Sequence, residues 1–184
     1  MIIRDTPQGY GIITRLFHWL MALAIFAMFA LGWWMVRLDY YSPYYVSAPD
    51  LHRSVGLVLL VALLLRWGWR LVNVHPGDEE LSAFERVASR VVHEAFYPLM
   101  LALMISGYLI STSDGRAIDV FGLVKVPSII VDKPLADMAG YIHRVLAYMI
   151  VVLALLHALA ALKHHFVDKS SILRRMWSGP GGLK

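Results

Sequence analysis

Residues 140–166, GYIHRVLAYMIVVLALLHALAALKHHF, form one long apolar run that carries His143 and His157 fourteen residues apart. At 3.6 residues per turn, fourteen residues make just under four turns. In a helix both imidazoles therefore lie on nearly the same face, about 21 Å apart along the axis. A run of this length suits a bilayer span, whose hydrocarbon offers an imidazole no partner. Two such histidines are either inward polar residues bonded to neighbouring helices or ligands, each to its own metal centre.

Working outward, the whole chain has the same character. Of 184 residues 59% are hydrophobic and 16% charged, against about 25% charged in a soluble chain. The composition excludes an ordinary soluble domain, and one integral membrane domain is expected. The net charge of +4 comes from basic residues that bracket apolar runs and form no stripe, so no nucleic-acid partner is implied. Cysteine is absent, which rules out disulfides, iron–sulfur clusters and thiolate-held haem.

Four spans are expected, at about 14–36, 51–71, 84–112 and 136–165. The first is longer than a signal-peptide core and is followed by no small-residue cleavage site, so it is expected to be retained. Trp33 and Trp34 at its far end, and Trp67 and Trp69 at the end of the second, suit the membrane–water boundary. Residues 40–49, rich in Tyr with Pro43 and Pro49, are expected as an interfacial loop. Residues 73–86 form a polar loop, and Pro98 stands inside the third helix, where a kink is expected. Residues 113–135 form a longer loop with a short amphipathic piece, and a basic tail follows the fourth helix.

Eleven of the 17 Lys and Arg fall with the N-terminus, the second loop and the C-terminal end: Arg4, Arg15, Arg66, Arg70, Arg86, Arg90, Lys163, Lys169, Arg174, Arg175 and Lys184. The other six (Arg37, Arg53, Arg116, Lys125, Lys133 and Arg144) fall on the opposite side. The positive-inside rule then puts both termini in the cytoplasm.

With helices alternating in direction, depth follows from position. His18 and His157 share the cytoplasmic side, and His52 and His143 share the other. Each pair can hold a metal between two helices. A structural zinc site wants four ligands together, whereas these fall into two separated pairs. Imidazole pairs with no nearby acid suit haem b with two axial histidines, an arrangement for electron transfer rather than oxygen binding. Arg53 and Arg144, each following a histidine, are placed to meet anionic haem propionates, or to reach phospholipid headgroups. Gly32, Gly56, Gly107 and Gly140 offer room for a flat macrocycle or for ordinary close packing. His93, beside Glu94, competes with His18 for His157 or marks a polar pocket. His164 and His165 end the fourth helix, and His75 is in a loop.

The segments TRLFHWLMALAIFAMFALGWWM, LHRSVGLVLLVALLLRWGWRL, HEAFYPLMLALMISGYLIS and IHRVLAYMIVVLALLHALAALKHHFVDKSSILRRM run in order over nearly the whole chain. Their HW, LHRSxG, the IH with a second His fourteen residues on, KHHF and LRRM resemble the bacterial cytochrome b561 family. The resemblance implies an all-α membrane fold, a four-helix antiparallel bundle with two haem b groups between helices. It implies that His18 and His157 hold one haem iron and His52 and His143 the other, with His93 outside the ligand set. It is nearest to the family's di-haem superoxide oxidases, which pass electrons from superoxide to ubiquinone in the bacterial inner membrane. The family also includes cytochrome b subunits that serve a partner dehydrogenase or hydrogenase, the alternative expectation. A colourless, histidine-lined metal transporter is a third. If superoxide is the donor, Arg53, Arg144, Arg116, Lys125 and Lys133 are expected to draw it. His93, His164 and His165 are the candidate polar anchors for a quinone.

Overall fold

The computed structural model describes residues 2–179; residues 180–184 of the expected basic tail, Lys184 among them, lie outside the described part. Four long helices dominate: α1 (Ile12–Met35), α2 (Ser47–Leu71), α3 (Ala83–Thr112) and α4 (Lys133–Phe166). All four are long and apolar enough to cross a membrane. A two-stranded hairpin, β1 (Ile118–Val120) and β2 (Val124–Val126), precedes α4, and a short helix α5 (Ile172–Trp177) follows it.

The helices begin earlier than the sequence led us to expect, and prolines explain the largest shifts. Pro49 and Pro134 were expected in loops, but each lies in the first turn of a helix (α2 from Ser47, α4 from Lys133). A first-turn residue has no intrahelical use for its N–H, and the fixed φ of proline suits the position. The start of α3 is capped reciprocally. Glu85 N–H donates to Ser82 Oγ at 3.3 Å, and Ser82 N–H donates to Glu85 Oε2 at 3.1 Å, a capping box.

Packing divides the chain into two units. One contains residues 2–22, 64–97 and 152–179. The starts of α1 and α3 meet the ends of α2 and α4 in it, so neighbouring helices run antiparallel. Its N-terminal segment is tied down by Asp5, which accepts from Gly11 N–H at 2.7 Å and from the Thr14 hydroxyl at 2.9 Å. Trp69 Nε1–H in turn donates to Thr14 Oγ1 at 3.0 Å. The expected tail is a docked helix instead. Trp19 Nε1–H donates to Met176 O at 3.1 Å, and Trp177 packs edge-on against Trp19.

The other unit contains residues 23–63 and 98–151, with Leu63 and Ile150 fully buried. The short amphipathic piece expected in 113–135 is a β-hairpin. Phe121 and Gly122 both have positive φ, 54° and 72°, the backbone of a primed turn whose twist suits a hairpin. Ser54 on α2 fixes it: Ser54 Oγ–H donates to Asp119 O at 3.2 Å, and Phe121 N–H donates to Ser54 Oγ at 3.3 Å. The hairpin is thereby held within one turn of His52 and Arg53.

Candidate functional site

The structure brings the depth-matched histidines together. In the first unit the rings of His18 on α1 and His157 on α4 have centres 6.3 Å apart, at 66°. In the second unit His52 on α2 and His143 on α4 are also 6.3 Å apart, at 74°. Two nitrogen–metal bonds of about 2 Å, with each ring centre about 1.1 Å behind its nitrogen, put coaxial imidazole centres about 6.2 Å apart. Each pair thus has the spacing of two axial ligands on one metal. His93 is nearer to His157, at 4.9 Å. That is shorter than the spacing of two coaxial rings on one metal, which the His18–His157 distance matches.

The local hydrogen bonds of the second pair fit ligation. His143 Nδ1–H donates to Leu103 O at 2.8 Å, with Ser106 Oγ at 3.3 Å. This leaves the Nε2 lone pair available, as a metal-bound histidine requires. His52 Nδ1 is buried without a hydrogen-bond partner among the described residues. Both rings rest against glycine. A Cβ on Gly32 would stand 3.1 Å from His52 Cε1, and one on Gly107 only 2.9 Å from His143 Cε1. Around this pair lies a cavity of about 320 Å³, lined mainly by apolar side chains such as Ile25, Met28, Phe29, Leu57, Leu103 and Val151. An apolar slot beside paired imidazoles suits a flat hydrophobic macrocycle.

The cations divide differently from expectation. Arg53 lines the cavity and pairs with Asp50. Arg116 also lines it and pairs with Asp114 at 2.5 Å. Arg144 is exposed and is not among the lining residues. At the first pair the notable cation is Arg66, which the sequence suggested only as a boundary residue. Its Nη2 lies 3.3 Å from His18 Nδ1, and its Nη1 donates to Phe17 O at 3.4 Å. An ionisable residue inside a span was the signal available for it. Ser106 and the Leu103 carbonyl carried no such signal.

The three candidate quinone residues fall into three settings. His93 packs on His157, and its Nδ1 lies 3.2 Å from Ser89 Oγ. Glu94 pairs with Arg70 at 3.5 Å. His164 Nδ1 is 2.7 Å from Asp168 Oδ2, in a cluster where Lys163 bridges Glu85 and Asp168 at 2.9 and 2.8 Å. The ring of His165 packs edge-on against Phe166. Outside the spans, Asp168 is held below the usual carboxylate range by the Lys163 ammonium and then by His164.

Membrane-length helices that bring imidazoles together in two pairs suit a membrane metalloprotein. The family model described as prokaryotic cytochrome b561 matches residues 9–179, and the chain belongs to that family. It is 47% identical over 178 residues to cytochrome b561 homolog 2 of Escherichia coli K12, covering 96% of this chain and 95% of the relative. Identity to the probable superoxide oxidase CybB of Yersinia pestis is 32% over 162 residues, with 86% and 90% covered. Cytochrome b561 homolog 1 of E. coli K12 is 24% identical over 167 residues, with 86% and 91% covered. Family membership implies haem b, and makes this a bacterial membrane protein that transfers electrons.

Proposed function

We propose that the chain is a di-haem cytochrome b of the inner membrane, with both termini in the cytoplasm, that oxidises superoxide and reduces ubiquinone. His18 with His157 would hold one haem and His52 with His143 the other. The observation that carries this is the shared 6.3 Å separation of both pairs. The superoxide assignment is supported by similarity to the Yersinia relative, and the orientation by the lysine and arginine count.

Haem b supplies one-electron chemistry, its iron passing between the ferric and ferrous states. The protein decides how that chemistry is used. Two histidines would hold each haem, which would suit electron transfer rather than binding of a reagent at the iron. The Leu103 carbonyl fixes the tautomer and orientation of His143. Apolar lining keeps water from the second pair, while Arg53 and Arg116 offer donors to haem carboxylates or to an approaching anion. In the overall reaction two superoxide ions become two dioxygen molecules, and the quinone takes two electrons and two protons to become quinol. His93, His164 and His165 are the candidate anchors for the quinone.

The test is a reduced-minus-oxidised spectrum of the detergent-purified protein with haem quantified per chain, followed by superoxide-dependent quinol formation. Two haem b per chain are expected, and about one each in His18→Ala and His52→Ala. Quinol should form from superoxide without any partner protein. Two haems with no quinol would leave the cytochrome and remove the superoxide assignment. A colourless protein would end both.

A further inference from the structure

Arg66 enters the loaded centre with an unresolved conflict of donors. Its guanidinium has only donors to offer, and it faces His18 Nδ1 at 3.3 Å. In that contact Nδ1 must be the acceptor, which places the imidazole proton on Nε2. A histidine that binds iron through Nε2 must carry its proton on Nδ1 instead, and two donors would then oppose each other. His143 has no such conflict, because its Nδ1 faces the Leu103 carbonyl at 2.8 Å. The other contacts of Arg66 are Phe17 O and Met21 Sδ, neither of them an anion. Nearby acids are already engaged, Glu94 with Arg70 and Asp5 with Gly11 and Thr14. Arg66 is therefore a cation inside a span that no acid pairs with among the described residues.

We propose that Arg66 is the carboxylate anchor of the His18–His157 centre, releasing His18 Nδ1 on loading and binding a propionate of the haem. This rests on the reading that His18 and His157 hold a haem. At this centre it gives Arg66 the role that the sequence suggested for Arg53 and Arg144 at the other. A charge-assisted, fork-shaped contact is among the stronger hydrogen bonds available, and its loss should weaken haem binding about tenfold or more. Loss of the cation should also lower the midpoint potential of that haem, since positive charge favours the ferrous state.

The experiment compares full-length wild type with Arg66→Gln and Arg66→Lys, counting haem per chain and then titrating haem-stripped protein with haem or with its dimethyl ester. The wild type should bind the ester about tenfold more weakly at the site that His18→Ala removes, whatever Arg53 and Arg116 contribute at the other. Arg66→Gln should hold one haem tightly, bind the second about as weakly as the ester, and no longer distinguish haem from ester there. The tightly held haem reports that the variant is folded. If Arg66→Gln holds neither haem, Arg66→Lys decides, with ester discrimination weaker than in wild type supporting the anchor and unchanged discrimination overturning it. Arg66→Gln with two wild-type affinities, or with undiminished discrimination, also overturns it. A wild type with fewer than two haems, or His18→Ala retaining both, removes the underlying centre and the proposal with it.

Discussion

The imidazole of His143 occupies space that only a glycine on α3 leaves open. A Cβ at Gly107 would stand 2.9 Å from His143 Cε1, closer than side-chain carbons pack. Overpacking of this kind costs about 1–3 kcal/mol, and here it falls on a ring whose position is fixed by the Leu103 carbonyl. Gly107→Ala is therefore expected to displace the ring, lower the thermal midpoint and empty the His52–His143 centre, leaving about one haem per chain. At Gly140 a Cβ would meet nothing within 4 Å, so Gly140→Ala should keep its haem. Equal haem content in the two variants would show that the close approach does not matter. The sequence presented Gly32, Gly56, Gly107 and Gly140 as equivalent. Spacing along one helix could not separate them, because what distinguishes Gly32 and Gly107 is the histidine on another helix. The contact of Arg66 with His18 escaped notice for a similar reason, as the two are on different spans.

At the level of elements, α5 shows what a sequence read segment by segment misses. Glu80 accepts from Ser171 N–H at 2.7 Å and from the Ser171 hydroxyl at 2.5 Å, and pairs with Arg175. Arg175 Nη1 also donates to Gly77 O at 2.5 Å. These partners are more than ninety residues apart, so neither local pattern announces the other, and the segment read only as a basic tail. The hairpin at 118–126 was hidden in the same way, since its anchor Ser54 is on α2. The Glu80 carboxyl is held below its ordinary 4.5 mainly by the Ser171 hydroxyl; burial opposes this, and the Ser171 amide and then Arg175 add smaller lowering effects. A depressed acid contributes stability in full above its unfolded value and loses it as pH falls through the folded one. The docking of α5 should accordingly hold at neutral pH and weaken on acidification below 4.5. Hydrogen exchange at the Arg175 and Ser178 amides, which donate to Ser171 O and Arg174 O, measures this directly. Protection should fall with acid once corrected for intrinsic exchange, and Glu80→Gln should flatten the dependence. Protection that survives well below the folded value would assign the docking to Trp19 and Trp177 instead.

For the whole molecule, the four spans and the approach of His18 to His157 and of His52 to His143 were legible because both follow from lengths. A bilayer fixes how many apolar residues a span needs, and alternation of direction then converts sequence position into depth. Charge is different, because its effect depends on which opposite charge lies beside it. The sequence suggests that Arg53, Arg144, Arg116, Lys125 and Lys133 draw superoxide together. The structure places Arg53 beside Asp50 and Arg116 beside Asp114, while Arg144 is absent from the cavity lining. At the cavity the positive charges thus come already balanced, and the net charge of +4 belongs largely to other regions. Such exposed pairs contribute little to stability, about 0–1 kcal/mol, so an acid can be removed without unfolding the protein. Asp114→Asn, which frees Arg116 at the cavity, should raise the superoxide-dependent rate about two- to fivefold at low salt through steering. Asp50→Asn should act in the same direction through Arg53. Because the Debye length shrinks to about 8 Å at physiological ionic strength, the gain should fade as salt is added, while haem content and reduction by dithionite stay unchanged. A rate that does not rise, or a rise that persists at high salt, would mean that superoxide does not approach through the mouth that Arg53 and Arg116 share. The donor would then have to be sought at another face of the protein.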